Sequence, residues 1–365
     1  MIHNWLLSSG HFQTIWGPIW RRPPHVDRKR YRLLTEDRDF IHIDVQDTFE
    51  ADASVMDSDV GVIIWHGLTG SSNSHYVLGL QENLTVRKIL SVAVNHRGCS
   101  GEANWLARGY HAGDYQDIDF AVKSILKRYP GRRWVLCGYS LGGSMLINWL
   151  SRAQVPEAVV GAVGVSVPFE LGSCSDYVNT GFAKVYRNWL LKGVQKQIID
   201  KKQSLSRVAP DEFKRLHGLG DVERFQDFKT FDHEFVAPLH GFDSGEHYYA
   251  SSSVRSQLLS VSTPLALVHS RDDPLMPPEV IPSPSELHEN TYLHCEEAGG
   301  HLGFLRINRL GMHYWLDEAV AKVAEAMLDP VQVGAPAITL APLMAADTVS
   351  LPPDMPVPVS ANNRS

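Results

Sequence analysis

Strand-like runs recur along the chain at residues 60–65, 90–94, 134–137, 159–167, 265–268 and 292–296, the first five apolar at nearly every position. Runs apolar on both faces belong in the middle of a parallel sheet. Between them the period changes. Over residues 114–129, Ile118, Ala121, Val122 and Ile125 fall at helical spacing, and Asp114 suits the N-cap. Helices are also expected from His75, directly after residue 140, and over 313–328. This alternation predicts an α/β fold with a mostly parallel sheet flanked by helices. Ligands of such sheets bind outside the carboxyl ends of the strands. The Gly-rich segments 66–70, 95–101 and 138–143 all fall at strand ends, so they are expected to converge.

Other stretches depart from that rhythm. Residues 29–34 and 41–45 read as two strands joined by the turn Glu36-Asp37-Arg38-Asp39. Ile41, Ile43 and Val45 alternate with His42 and Asp44, which predicts a half-exposed antiparallel edge. Over residues 168–250 the strand pattern vanishes and helical, charged and aromatic residues take over. We read a helical insertion acting as a lid or cap, with ordinary connecting helices as the alternative. The expected organisation is one domain over residues 1–328, with the 168–250 insertion, and a flexible tail over 329–365 rich in Pro, Ala, Val and Ser. Residues 1–27 carry Trp5, Phe12, Trp16 and Trp20 and read as an arm packed on the domain, or as one that touches substrate or a membrane surface.

Composition narrows the function classes. The chain has 365 residues, 44% hydrophobic, with a net charge of −7. No basic tract stands out, so a nucleic-acid partner is not expected. Cys99, Cys137, Cys174 and Cys295 lack paired spacing, which favours buried free thiols in a reducing, cytoplasmic compartment. No basic-then-apolar leader is read at the N-terminus, and no apolar run reaches ~18 residues, so neither a signal peptide nor a membrane span is expected. Histidines lack metal-ligand spacing and no Walker or G-x-G-x-x-G loop is present, so no metal or other cofactor is expected.

Candidate chemistry centres on Gly138-Tyr139-Ser140-Leu141-Gly142. A G-x-S-x-G pattern arises by chance in roughly one chain in ten of this length. Here a strand-like run precedes it and a helical run follows, the context of a nucleophile elbow. A serine hydroxyl needs a base within hydrogen-bond reach, and the base needs an acid to orient it. In the order serine, acid, histidine, the acid belongs on the loop after residue 268 and the histidine on the loop after 296. The first loop offers Asp272 and Asp273. Pro274 fixes the turn and the frame Asp-x-apolar-x-Pro starts at Asp273, which is preferred; Asp272 is left as a helix cap or salt-bridge partner. The second loop offers His301 within Gly299-Gly300-His301-Leu302-Gly303. Oxyanion donors are expected from the backbone N–H groups of Leu141 and Leu68, with His66 holding the latter loop in place.

Several segments in this order resemble one family: Gly10-His11-Phe12-Gln13-Thr14-Ile15-Trp16, His66-Gly67-Leu68-Thr69-Gly70-Ser71, Asn95-His96-Arg97-Gly98-Cys99-Ser100-Gly101, Tyr110-His111-Ala112-Gly113-Asp114, the elbow, and Gly299-Gly300-His301-Leu302-Gly303-Phe304. Together they resemble the YheT-like branch of the α/β-hydrolase superfamily over about residues 8–328. The resemblance implies a Ser-Asp-His hydrolase acting on carboxylic esters, with acyl glycerols or medium-chain esters as candidate substrates and Ser140, Asp273 and His301 as the triad. A membrane-surface lipase with peripheral membrane contact and an idle binding protein on the same fold are the competing expectations.

Overall fold

A helix, α1 (Gly10–Trp20), forms where the sequence reads only as an aromatic arm. Ser9 caps it by accepting the Phe12 N–H. The computed structural model describes residues 7–46, 59–308 and 311–329. Trp5 and the expected tail from residue 330 lie outside them.

Eight strands make the central sheet: β1 (Arg28–Leu34), β2 (Phe40–Gln46), β3 (Val60–Trp65), β4 (Leu90–Asn95), β5 (Arg133–Tyr139), β6 (Val159–Val165), β7 (Leu265–Ser270) and β8 (Thr291–Glu296). Their spatial order is β1-β2-β4-β3-β5-β6-β7-β8. Strands β3 to β8 pair in parallel; β2 runs antiparallel to both β1 and β4. The sequence expectation of an edge at β2 is corrected here. Every residue of β2 is buried, because β1 covers one side and β4 the other. Its inward polar groups are satisfied: Asp44 accepts from Arg30, Ser72 and Asn95, and His42 bonds to Ser100.

Helices cover both faces, as the near-continuous burial of the parallel strands demands. Helices α2 (His75–Val86), α3 (Tyr115–Arg128) and α4 (Leu141–Arg152) follow β3, β4 and β5. Ile118, Val122 and Ile125 of α3 join Ile63, Trp65 and Leu136 in one core layer. The opposite layer sets Val77 and Leu80 of α2 against Val62, Ile64, Val135 and Cys137. Asp114 caps α3 through the Asp117 N–H.

Between β6 and β7 the chain is helical. It runs through α5 (Leu171–Tyr177), α6 (Ala183–Val208), α7 (Pro210–His217), α8 (Phe228–Phe231), a π-turn at Asp232–Val236, α9 (Ala237–His240) and α10 (Gly245–Ser252). These helices keep a small core of their own around Leu205, Leu216, Phe225, Phe231 and Phe235. After β8 an antiparallel hairpin, β9 (Leu305–Asn308) with β10 (Gly311–Tyr314), precedes α11 (Trp315–Leu328). The helix expected from residue 313 therefore starts at Trp315, because His313 pairs with Arg306 in the hairpin. The four cysteines are free, and three are buried. Among the described residues no helix is long and apolar enough to cross a membrane.

Candidate active site

Strand β5 ends at Tyr139 and α4 begins at Leu141, leaving one residue to make the turn. That residue, Ser140, takes φ 52° and ψ −121°, a conformation costly for a side chain other than glycine. The turn closes only because its neighbours lack side chains. A Cβ on Gly138 would sit 2.6 Å from the Gly142 carbonyl oxygen, and one on Gly142 would sit 2.5 Å from the His66 carbonyl oxygen. The Ser140 N–H donates to the Val165 carbonyl at 2.8 Å, tying the turn to β6.

The loops after β7 and β8 bring the other two candidates to this turn. His301 Nε2 lies 3.0 Å from Ser140 Oγ, and His301 Nδ1 lies 2.8 Å from Asp273 Oδ2. A carboxylate only accepts, so Nδ1 carries the proton and Nε2 is free to accept from the serine hydroxyl. The Asp273 side chain is 1% exposed and that of His301 10%. Burial works against the Asp273 charge. The charge and hydrogen bond of His301, then His269 and the Leu275 N–H, outweigh it and hold the carboxyl below its ordinary range.

Asp272 does neither job that its place in the sequence suggests, capping a helix or pairing with a cation. Its Oδ1 accepts the N–H groups of Gly299 and Gly300 at 2.8 and 2.9 Å, fastening the histidine loop to the acid loop. A second fastening comes from α1: Thr14 Oγ1 accepts the His301 N–H at 2.8 Å, and Gln13 Oε1 accepts that of Leu305 at 2.7 Å. Nothing in the local sequence pattern marked Thr14 or Gln13 for this work.

Leu68 and Leu141 both line the cavity beside Ser140. The Leu141 N–H opens a helix and so has no partner within it. The loop carrying Leu68 is pressed against the serine, for a Cβ on Gly67 would lie 3.1 Å from that of Ser140. Two tyrosine hydroxyls hold this loop, Tyr76 accepting the Gly67 N–H and Tyr110 that of Thr69, each at 3.0 Å. His66 Nδ1–H donates to the Gly67 carbonyl at 2.8 Å while its Nε2 accepts the His96 N–H at 3.2 Å. Burial, and then the neighbouring His96, push His66 well below its ordinary pKa. It is a neutral brace, as its position after β3 predicts. Tyr76 and Tyr110 were not foreseen, because hydroxyl brackets leave no periodic trace.

The cavity above Ser140 holds about 440 Å³ and runs from α1 to the helices between β6 and β7. Its wall is mainly apolar. Trp189 of α6 lines it and is also 61% exposed, so the cavity opens beside that ring. No cluster of metal-ligating side chains occurs among the described residues.

Comparison with known proteins places this geometry. The sequence family described as alpha/beta hydrolase fold matches residues 61–306. A curated relative, "Putative esterase YheT" of Escherichia coli (strain K12), is 30% identical over 86% of this chain and 89% of its own length. Monoacylglycerol lipase of Saccharomyces cerevisiae is 25% identical over 74% of this chain and 60% of its own. Phospholipase ABHD3 of Mus musculus is 25% identical over 87% and 76%. Among solved structures, 2,6-dihydroxy-pseudo-oxynicotine hydrolase superposes with a TM-score of 0.50 at 16% identity, covering 89% of this chain and 72% of that one, a likeness of fold.

Proposed function

We propose, from the premise that this chain belongs to the α/β-hydrolase fold family, that it hydrolyses carboxylic esters through an acyl-enzyme on Ser140. His301 Nε2 takes the hydroxyl proton as Oγ attacks the acyl carbon, and returns it to the leaving alcohol. Asp273 keeps the imidazole in the tautomer that leaves Nε2 free and offsets the charge that forms on it. The N–H groups of Leu141 and Leu68 receive the negative oxygen of the tetrahedral intermediate. Water activated by the same histidine then releases the acid. The helices between β6 and β7 act as a cap that walls the ester away from solvent.

The observation that carries this reading is the unbroken chain from Ser140 Oγ to His301 to Asp273, at 3.0 and 2.8 Å, on a serine held at positive φ. Ser140→Ala abolishes turnover of p-nitrophenyl esters and labelling by a fluorophosphonate, with the circular dichroism spectrum unchanged. Wild-type protein inert to both reagents would overturn the reading and favour a binding protein on the same fold.

A second reading concerns where the ester is met. Ile19, Trp20, Phe182, Val185 and Trp189 are each more than half exposed and stand on α1, on α6 or directly before α6. We infer that they touch a lipid surface, so that the substrate enters from it.

A further inference from the structure

Within the cavity wall, most charged groups have their charge answered inside the protein. Arg97 is gripped by Asp117 and Asp39, and Lys201 Nζ donates to the carbonyls of Ala107 and Arg108. Asp232 is the exception. It stands at the first position of the π-turn, is half-buried, and lines the cavity. No cation among the described residues pairs with it. Its one side-chain partner there is the Tyr249 hydroxyl, 2.8 Å from Oδ2.

Tyr249 has a single hydroxyl proton. Given to the carboxylate, it leaves Ser175 Oγ, 3.0 Å away, to donate to Tyr249. A directed chain results, Ser175 to Tyr249 to Asp232, built from α5, α10 and the π-turn, and all three residues line the cavity. Among the described residues no side chain bonds to Oδ1. Phe228, Phe231, Phe235 and Tyr248 also line the cavity. An unpaired carboxylate in such a setting is costly, and its burial pushes the Asp232 pKa up to about 7. π-Turns inside helices recur at functional sites. A structural hydrogen bond to Tyr249 needs only an amide oxygen, not an open carboxylate facing the substrate's space.

We propose that Asp232, held by Tyr249 and Ser175, is a polar subsite of this cavity that accepts a hydrogen-bond donor, a hydroxyl or ammonium group, at the end of the substrate remote from the ester. The subsite rests on the ester-hydrolase reading above. It selects esters carrying such a donor over hydrocarbon esters of equal length, because the donor replaces water that the apolar wall otherwise denies to the carboxylate.

The test compares kcat/KM for p-nitrophenyl 6-hydroxyhexanoate and 6-aminohexanoate with that for the isosteric heptanoate, in wild-type protein and in Asp232→Asn. A matching pair, 5-hydroxypentyl and hexyl hexanoate, places the donor on the alcohol side. In wild-type protein at least one donor ester exceeds its hydrocarbon counterpart, and the hydroxyl and amino arms identify which donor is taken. Asp232→Asn retains an oxygen for Tyr249 but presents an N–H to the ligand, so it lowers that ratio by about tenfold or more. A merely structural aspartate would move all esters alike, and that result overturns the subsite while leaving ester hydrolysis standing. Should the variant not fold, the wild-type ratios decide alone: none above one overturns the proposal. Wild-type protein that turns over no ester at all removes the underlying reading and the subsite with it.

Discussion

Two adjacent aspartates at the end of β7 divide the work between them. Asp273 Oδ2 meets the imidazole, while Asp272 Oδ1 takes two loop N–H groups. The frame Asp-x-apolar-x-Pro separated them in the sequence, because Pro274 sets the turn, and the apolar position Leu275 donates its N–H to Asp273 Oδ1. Glycines exposed the elbow in the same way: close backbone approach leaves a composition that can be read. The hydroxyls of Thr14, Tyr76 and Tyr110 were illegible, since each acts across a sequence separation or a turn that no periodicity records. The two aspartates should respond differently to change. Asp273→Asn forces Nδ1 to accept, puts the proton on Nε2 and lowers kcat on p-nitrophenyl butyrate on the order of 10³–10⁴-fold. Asp272→Asn keeps an oxygen for Gly299 and Gly300 and stays within about threefold of wild type, because the N–H groups still find an acceptor. Equal losses in the two variants would refute this division of roles.

Elements were legible where their periods were pure and obscure where tertiary contacts set them. The parallel strands announce themselves as apolar runs. Strand β2 does not, because its alternating Ile41-His42-Ile43-Asp44-Val45 suits an exposed face, and it is buried between β1 and β4 with Asp44 answered by Arg30, Ser72 and Asn95. Helix α1 hid behind Gly10, Gly17 and Pro18, poor helix formers that are tolerated because the helix is clamped from outside. Its clamp is Arg21, at the C-cap, paired with Asp317 of α11, the two side chains 6% and 4% exposed. The guanidinium also stacks on Tyr314, 3.9 Å from the ring centre. Removing one partner of a buried pair strands the other charge. Arg21→Ala should therefore cost about 3–5 kcal/mol in urea unfolding, whereas Arg21→Met with Asp317→Leu recovers most of it. Simple addition of the two single losses in the double variant would show that the pair is not what fastens α1.

At the scale of the molecule, strand order put the Gly-rich loops after β3 and β5 side by side, as alternation and the rule for strand ends led one to expect. Charge is less evenly spread than the net −7 implies. No acidic residue occurs before Asp27 or between Asp176 and Asp200, while those two segments hold Arg22, Lys184, Arg187, Lys192 and Lys196 besides the buried, paired Arg21. The segments adjoin in space: His11 of α1 packs its ring 4.8 Å from that of Phe182 and bonds to the Tyr186 hydroxyl at 3.0 Å. Exposed Phe182 and Val185 thus join the N-terminal end of α1 in a basic, aromatic face beside the mouth at Trp189, and exposed Trp20 ends the same helix. Such a face suits an anionic lipid surface, where apolar rings enter the headgroup layer and basic side chains meet its charge. Turnover of one ester should then rise as its concentration passes the critical micelle concentration, and rise further when phosphatidylglycerol is mixed into the micelles. Trp20→Ser combined with Val185→Ser, neither of which lines the cavity, should erase that rise and leave hydrolysis of monomeric p-nitrophenyl acetate as in the wild type. Salt near 0.5 M should suppress the phosphatidylglycerol effect, since the Debye length there falls below about 8 Å. A rate that runs smoothly through the micellar transition, indifferent to lipid charge, would assign this face to something other than a membrane surface.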